Sequence, residues 1–170
     1  MIQKLTTKQL KHGDVLHCWS GSWLSRTIRR VTGGGISHTA IVIKLNGTVV
    51  IADAQANGVN LRSLQEWQKK YNYEYTIHRR LDRSAEWLNS IDNRVMQKIG
   101  VTPYDFAGLI HQLVYNVCGW WVGRRKEKAE ARMYCSEFIA WVLQIDRYWK
   151  LSPAQLYEVL ENSNEYELIS

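Results

Sequence analysis

Two kinds of hydrophobic spacing alternate along the chain and predict an α+β fold. Short runs rich in β-branched residues predict strands over residues 14–19, 38–45, 48–52 and 73–79. Apolar residues three and four positions apart predict helices over residues 24–31 and 63–70, around 88–99, and after residues 102, 134 and 152. With no linker-like composition in between, we expect residues 1–170 to form one domain with an antiparallel sheet packed against helices.

Asn46-Gly47 predicts a two-residue hairpin turn between the second and third strands. In that register His38 faces Gln55, and Asp53 is the diagonal neighbour of His38. Because side chains alternate along a strand, all three project from the same side of the sheet. Either Asp53 or Gln55 is therefore placed to hydrogen-bond the His38 imidazole.

Cys135 falls in the first turn of a predicted helix whose apolar residues are Phe138, Ile139, Val142 and Leu143. Unpaired N–H groups and the positive end of the helix dipole favour an anion at such a position, here a thiolate. Cys135 with His38 is thus a candidate pair of nucleophile and base. A buried, inert cysteine is the alternative interpretation.

Two Pro-containing segments predict helix starts. Thr102-Pro103-Tyr104-Asp105 has a capping residue, a proline at the first helical position and an acid at the third, which predicts a helix beginning at Pro103. That helix carries Phe106, Leu109, Ile110, Leu113 and Val117 on one side. Ser152-Pro153-Ala154-Gln155 repeats the start signal.

The composition is that of a globular protein with a formal net charge of +6. No run is long and apolar enough to span a bilayer. The first residues lack the apolar core of a secretion signal, so we expect a cytoplasmic protein or delivery by a non-secretory route. The basic runs at Arg26–Arg30, His78–Arg83 and Arg124–Lys126 are solvated faces or attract an anionic polymer or membrane. No motif accompanies them that indicates specific nucleic-acid binding.

The order of the short motifs resembles the circularly permuted branch of the NlpC-type papain-like cysteine hydrolases, the YaeF/YiiX-like group related to lecithin:retinol acyltransferase-like enzymes. The resemblance rests on segments spread over most of the chain, which are Gly13-Asp14-Val15-Leu16, Ser37-His38, Ala52-Asp53-Ala54, Tyr134-Cys135-Ser136-Glu137 and Ser152-Pro153-Ala154-Gln155-Leu156. In the ordinary papain-like order the cysteine helix precedes the histidine strand, whereas here His38 precedes Cys135.

The resemblance implies a permuted papain-like fold and a thiol hydrolase with Cys135, His38 and Asp53 as catalytic residues. It selects Asp53 over Gln55 as the orienting group, although the group more often has glutamate there. It also marks Asp14, for which a structural turn role is an equal alternative. Tyr134 is a further candidate, as a hydroxyl donor to the oxyanion or as a packing residue.

Gly119 and Gly123 bracket Trp120 and Trp121, and basic residues beginning at Arg124 follow. We expect this segment to form a wall or lid over Cys135, with the tryptophans on an apolar part and Arg124 on an anionic part of a substrate. The alternative is a connecting loop whose tryptophans pack inward.

Two function classes remain open. The first is an amidase or peptidase, or an acyltransferase on lipids, acting through an acyl-enzyme on a peptide or a lipid-derived acyl group. The second is a catalytically silent binding module. We expect no cofactor, and the spacing of His38, Asp53 and Cys135 matches no known metal signature. The sequence carries no signal for an oligomeric state.

Overall fold

A computed structural model describes residues 9–71, 75–119 and 131–169. In this part of the chain six strands form one antiparallel sheet, in the order β4-β3-β2-β1-β5-β6. The strands are β1 (Val15–Cys18), β2 (His38–Leu45), β3 (Thr48–Gln55), β4 (Gly58–Ser63), β5 (Tyr75–Arg80) and β6 (Tyr166–Ile169). The predicted α+β class with an antiparallel sheet is confirmed.

Six α-helices lie within the described residues. They are α1 (Trp23–Thr32), α2 (Leu64–Lys70), α3 (Ala85–Lys98), α4 (Phe106–Cys118), α5 (Cys135–Val142) and α6 (Pro153–Glu161), with a 3₁₀ helix at Tyr148–Lys150 between the last two. In these residues we find no helix with the length and apolar character needed to cross a membrane.

The β2–β3 hairpin has the predicted register. Ile41 pairs with Ala52 and Leu45 with Thr48, so Asn46 and Gly47 form the turn. Both turn residues have positive φ, 49° and 82°. A two-residue turn of this kind needs that conformation, which asparagine and glycine adopt at the lowest cost.

The start of α4 differs from its prediction. The helix begins at Phe106, and Asp105 caps it by accepting a 2.9 Å hydrogen bond from Gly108 N. The residues before it run beside Met133, because Met133 N donates to Pro103 O and Asp105 N donates to Met133 O. These backbone bonds hold residues 103–105 out of a helical turn, so Thr102 is not the capping residue.

Two apolar layers cover the two faces of the sheet. Val15, Ile41 and Ile43 project into the larger layer, which α5 completes with Phe138 and Ile139. Leu16 and Val42 project into the opposite layer, where Trp67 of α2 lies. Because successive residues of β1 and β2 enter different layers, both faces of the central strands are buried.

The apolar side predicted for α4 is divided between core and surface. Leu109 is buried and packs near Ile28 of α1. Phe106, Ile110 and Val117 are exposed. They lie on a row next to the one that contacts α1, and the hydrophobic spacing of α4 does not distinguish the two rows.

Candidate active site

Cys135 is the first residue of α5, as the hydrophobic spacing predicted. The helix is anchored through Phe138, Ile139 and Val142, all fully buried. At the helix start the Glu137 carboxylate accepts a hydrogen bond from Tyr134 N. The sulfur thereby stands at a fixed helix N-terminus, where the helix dipole favours a negative charge.

His38 is the first residue of β2, opposite Cys18 of β1. Its imidazole stacks on the Tyr71 ring, with ring centroids 5.1 Å apart and the planes at 13°. Tyr71 itself packs on Trp67 in the core layer beneath α2. The imidazole plane is therefore supported by an aromatic ring that is itself held in the core.

The Asp53 carboxylate contacts His38 directly and is surrounded by donors. His38 Nε2 lies 2.9 Å from Oδ2 of Asp53, and Gln55 Nε2 donates to the same oxygen at 2.5 Å. Arg62 Nε donates to Oδ1 at 3.0 Å. Of the two orienting candidates, Asp53 is thus the one bonded to the imidazole. Gln55 supports Asp53 and accepts a hydrogen bond from Lys70 Nζ.

The charges around His38 favour its protonated form. Burial works against the charge, but the nearby Cys135 thiolate, followed by hydrogen bonds to Asp53 and Cys135, raises the pKa of His38 to about 9. Burial likewise opposes ionisation of Asp53, yet the hydrogen bond and charge of His38 lower the pKa of that carboxyl. Because Nε2 faces Asp53, Nδ1 is the nitrogen left for Cys135. His38 and Cys135 are thus placed to act as a base and a thiol in contact.

A cavity of about 180 Å³ opens at Cys135 and His38. One part of its wall is apolar and includes Leu24, Ile28 and Phe106. Another part carries Gln55, Lys70 and a group of hydroxyl side chains, Ser20, Ser22, Ser25 and Ser37. The cavity can therefore hold a group with an apolar portion and a polar or anionic portion beside the sulfur.

Asp14, a candidate for substrate binding, lies fully buried in the protein interior and outside the cavity lining. Arg79 forms a bidentate pair with it, through Nε to Oδ1 at 2.9 Å and NH2 to Oδ2 at 2.8 Å. Lys11 N donates to Oδ2 as well, at 2.7 Å. With both carboxylate oxygens engaged, Asp14 holds the turn before β1 against β5.

Tyr134 is not among the residues that line the cavity. Its ring is buried with Ile28 and Leu109, and its hydroxyl donates to Trp149 O at 3.2 Å. These contacts favour the packing interpretation of Tyr134. Three other predicted substrate contacts, Trp120, Trp121 and Arg124, lie outside the described residues.

Four residues of the site were not found from the sequence. Tyr71 supports the imidazole, Arg62 and Lys70 extend the polar network of Asp53, and Tyr104 lines the cavity. Arg62 could have been found by extending the hairpin argument to β4. This strand lies next to β3, and in it Arg62 pairs with Ile51, two residues before Asp53. The other three meet the site only through tertiary packing.

Two comparisons relate this chain to known proteins. The model of the family described as permuted papain-like amidase enzyme, YaeF/YiiX, C92 family, matches residues 9–164. Among solved structures, YiiX from Escherichia coli O157:H7, titled a metalloprotein, aligns with a TM-score of 0.60 and 18% identity over 95% of this chain and 97% of YiiX. A comparison with curated proteins gave no significant match.

Proposed function

The chain belongs to the family of permuted papain-like amidases, and on that premise we propose that it is a thiol hydrolase with Cys135 as nucleophile, His38 as base and acid, and Asp53 as the positioning residue. The observation that carries the proposal is the 2.9 Å bond between His38 and Asp53 beside the first residue of α5. A buried cysteine without such partners has no reason to ionise.

In the acylation half, the Cys135 thiolate attacks the substrate carbonyl carbon and its electron pair forms the C–S bond. The carbonyl oxygen takes up the negative charge. As the tetrahedral intermediate collapses, the bond to the leaving nitrogen or oxygen breaks, and protonated His38 gives it a proton from Nδ1. The products of this half are a thioester on Cys135 and a free amine or alcohol.

In the deacylation half, neutral His38 takes a proton from water while the water oxygen attacks the thioester carbon. The C–S bond breaks, the carboxylic acid leaves, and Cys135 returns as a thiolate beside protonated His38. Asp53 keeps Nε2 of the imidazole engaged throughout, so Nδ1 always faces the sulfur.

The oxyanion requires donors beside Cys135. Its own backbone N–H at the start of α5 is one, because the first N–H groups of a helix have no partner within the helix. We propose the Tyr104 hydroxyl as a second, since Tyr104 lines the cavity. Burial, with the charge of Cys135, raises the pKa of Tyr104, which keeps it a neutral donor.

The lining of the cavity is compatible with a substrate whose acyl part has an apolar portion, as in a peptide or a lipid-derived acyl group. Lys70 is the cation at its polar end and hydrogen-bonds Gln55. A substrate carboxylate or phosphate is therefore the group that best complements this end.

The metalloprotein title of YiiX raises the question of a metal here. In the described part of the chain, no group of three or more His, Cys, Asp or Glu side chains is arranged to hold a metal ion. At the candidate site itself, Nε2 of His38 and both oxygens of Asp53 are already hydrogen-bonded within the protein. These residues do not fit a metal, and no step above uses one.

Intact-mass spectrometry tests the proposal. The protein is incubated with a panel of muropeptides, N-acyl amines and acyl esters, some with and some without an anionic group. We expect a transient acyl adduct on Cys135 with at least one class, and its disappearance in Cys135→Ala. Cys118→Ala is the matched control and should keep the adduct. An adduct that survives Cys135→Ala would contradict the assignment of the nucleophile.

A further inference from the structure

An exposed apolar stripe runs the length of α4. Phe106, Ile110, Val114 and Val117 follow one another at intervals of four, four and three residues, which places them on one face of the helix. Ile110 is 59% exposed and Val117 is 69% exposed. The sequence of α4 contains no Asp, Glu, Lys or Arg. A continuous apolar surface without charges is typical of a contact site rather than of a free surface.

The neighbouring helix, α1, is basic and carries an exposed tryptophan. Arg26 and Arg30 are exposed and Arg29 is half-buried, while the helix has no acidic residue. Trp23, in the first turn, is 71% exposed. An exposed tryptophan beside arginines is the combination that favours the boundary between lipid headgroups and acyl chains.

The two exposed rows flank a single seam between the helices. Leu24 and Ile28 of α1 pack in one cluster with Leu109 and Leu113 of α4. Leu24, which follows Trp23, and Phe106, at the start of the stripe, both line the active-site cavity, so the two helices begin beside each other. We name the exposed rows of the two helices together the α1–α4 face and define it by Trp23, Arg26, Arg30, Phe106, Ile110, Val114 and Val117.

We propose that the α1–α4 face binds the surface of a bilayer that contains anionic lipids. The stripe and Trp23 enter the headgroup region, and Arg26 and Arg30 pair with lipid phosphates, which suit the planar guanidinium. Charge complementarity favours an anionic bilayer over a second copy of the chain as the binding partner, because two copies would bring the same arginines together.

The active-site cavity opens on the same seam. Leu24 and Ile28 line the cavity and also form the helix contact, and Phe106 belongs both to the cavity wall and to the stripe. A bilayer bound to the α1–α4 face would thus lie against the cavity mouth. The proposal concerns binding alone and does not depend on the reaction at Cys135.

Vesicle co-sedimentation of the full chain tests the proposal, with phosphatidylcholine vesicles and with vesicles that also contain 30% phosphatidylglycerol (about one lipid in three). We expect binding to the anionic vesicles at about 0.05 M salt and loss of most of it at about 0.5 M. Arg26→Ser/Arg30→Ser and, separately, Ile110→Ser/Val117→Ser should each weaken binding by about tenfold or more.

Matched controls change exposed residues elsewhere on the molecule. Lys44→Ser/Lys69→Ser removes the same charge from other exposed positions, and Leu81→Ser/Val101→Ser removes comparably exposed apolar side chains. Both should bind as the unchanged chain does. Circular dichroism melting establishes that each variant is folded.

Three results would overturn the proposal. The first is no binding to either vesicle, and the second is equal loss in the control pairs. The third is self-association, seen by sedimentation velocity, that Ile110→Ser/Val117→Ser abolishes in a chain that does not bind vesicles. That last outcome would assign the face to a second copy of the chain.

Discussion

Nε2 of His38 and Oδ2 of Asp53 lie 2.9 Å apart inside the protein, where the Asp53 side chain is fully buried. This contact leaves Nδ1 as the nitrogen that faces Cys135, and it is one of the reasons that His38 holds its proton at neutral pH.

The first prediction concerns the titration of His38. Its ¹H NMR signal should shift with a midpoint at about pH 9, because the raised pKa keeps the imidazole protonated up to that value. Above that midpoint the acid needed for acylation is lost, so kcat/KM should fall as the pH rises through about 9. Asp53→Asn keeps the side-chain shape but removes the charge, and should lower the midpoint by about one unit or more.

Asp92→Asn is the matched control for this prediction. Asp92 Oδ1 lies 2.7 Å from His12 Nε2, so this change also breaks a histidine–carboxylate pair, but one outside the cavity. It should leave the His38 midpoint where it is. A midpoint near 6.5 for His38 in the unchanged chain would refute the charge arrangement around Cys135.

The second prediction concerns cysteine reactivity. Iodoacetamide should modify Cys135 at near-neutral pH before Cys18 and Cys118, since only the thiolate reacts and His38 stabilises it. Cys18 should be the slowest, because burial, followed by the charge of Cys135, raises the pKa of its thiol. His38→Ala should slow Cys135 about tenfold or more.

Peptide mass mapping measures all three rates in one sample. Cys118 is exposed on α4 and serves as the internal control. Its rate should be the same in the unchanged chain and in His38→Ala. If Cys135 were the slowest of the three, the thiolate argument would fail.

The third prediction separates a structural Asp14 from a substrate-binding one. Asp14→Ala leaves Arg79 as a buried cation without its carboxylate, which costs about 3–5 kcal/mol of unfolding free energy. Urea denaturation measures this loss. Asp14→Leu combined with Arg79→Met should recover most of it, because it removes both charges together. If Asp14→Ala kept full stability and lost only substrate affinity, Asp14 would be a substrate-binding residue.

The fourth prediction concerns acid stability. His17 of β1 is fully buried, and neither ring nitrogen has a hydrogen-bond partner among the residues that the structure describes. It contacts His78 of β5 and Tyr157 of α6, and Glu161 of α6 pairs with His78 at 2.8 Å. Burial, followed by the charge of His78, lowers the pKa of His17 well below its usual value.

Stability should fall as the pH is lowered, because the unfolded chain takes up a proton that the folded chain does not. Below about pH 6.5 the unfolded chain binds a proton at His17 that the folded chain does not, so stability should fall by up to about 1.4 kcal/mol per pH unit. Urea midpoints between pH 7 and pH 5 measure the slope. His17→Leu should flatten it, and His111→Leu on α4 should not. An unchanged slope in His17→Leu would show that another group controls the acid response.

The part of the site that depends on local rules was predictable. The Asn46-Gly47 turn sets the register of β2 and β3, and this places His38 and Asp53 on the same side of the sheet. The spacing of Phe138, Ile139 and Val142 places Cys135 at a helix start. In both cases the information lies within a few residues of the position concerned.

The features that could not be predicted from the sequence depend on residues that are distant along the chain. The sequence left Asp14 open between a site role and a structural turn role, because its partner, Arg79, is brought to it only by the pairing of β1 with β5. Tyr71 reaches His38 through the packing of α2 on the sheet. The edge strand β4 was missed because half-buried polar residues such as Asn60 and Arg62 hide its alternation.

The helix start at Phe106 was missed for a similar reason. The capping signal at Thr102-Pro103 is sound as local chemistry, but the backbone of residues 103–105 is instead bonded to Met133. Met133 belongs to the approach to α5. The same contact that removes the first turn of α4 thus ties that helix to the cysteine segment.

The tight turn at Asn46-Gly47 also has a consequence for biosynthesis. The hairpin that pairs His38 with Asp53 needs only neighbouring residues, so it can form as soon as they leave the ribosome. Cys135 arrives much later, on a helix that packs against the finished hairpin. A nascent chain therefore contains His38 and Asp53 well before the proposed nucleophile, Cys135, has been added.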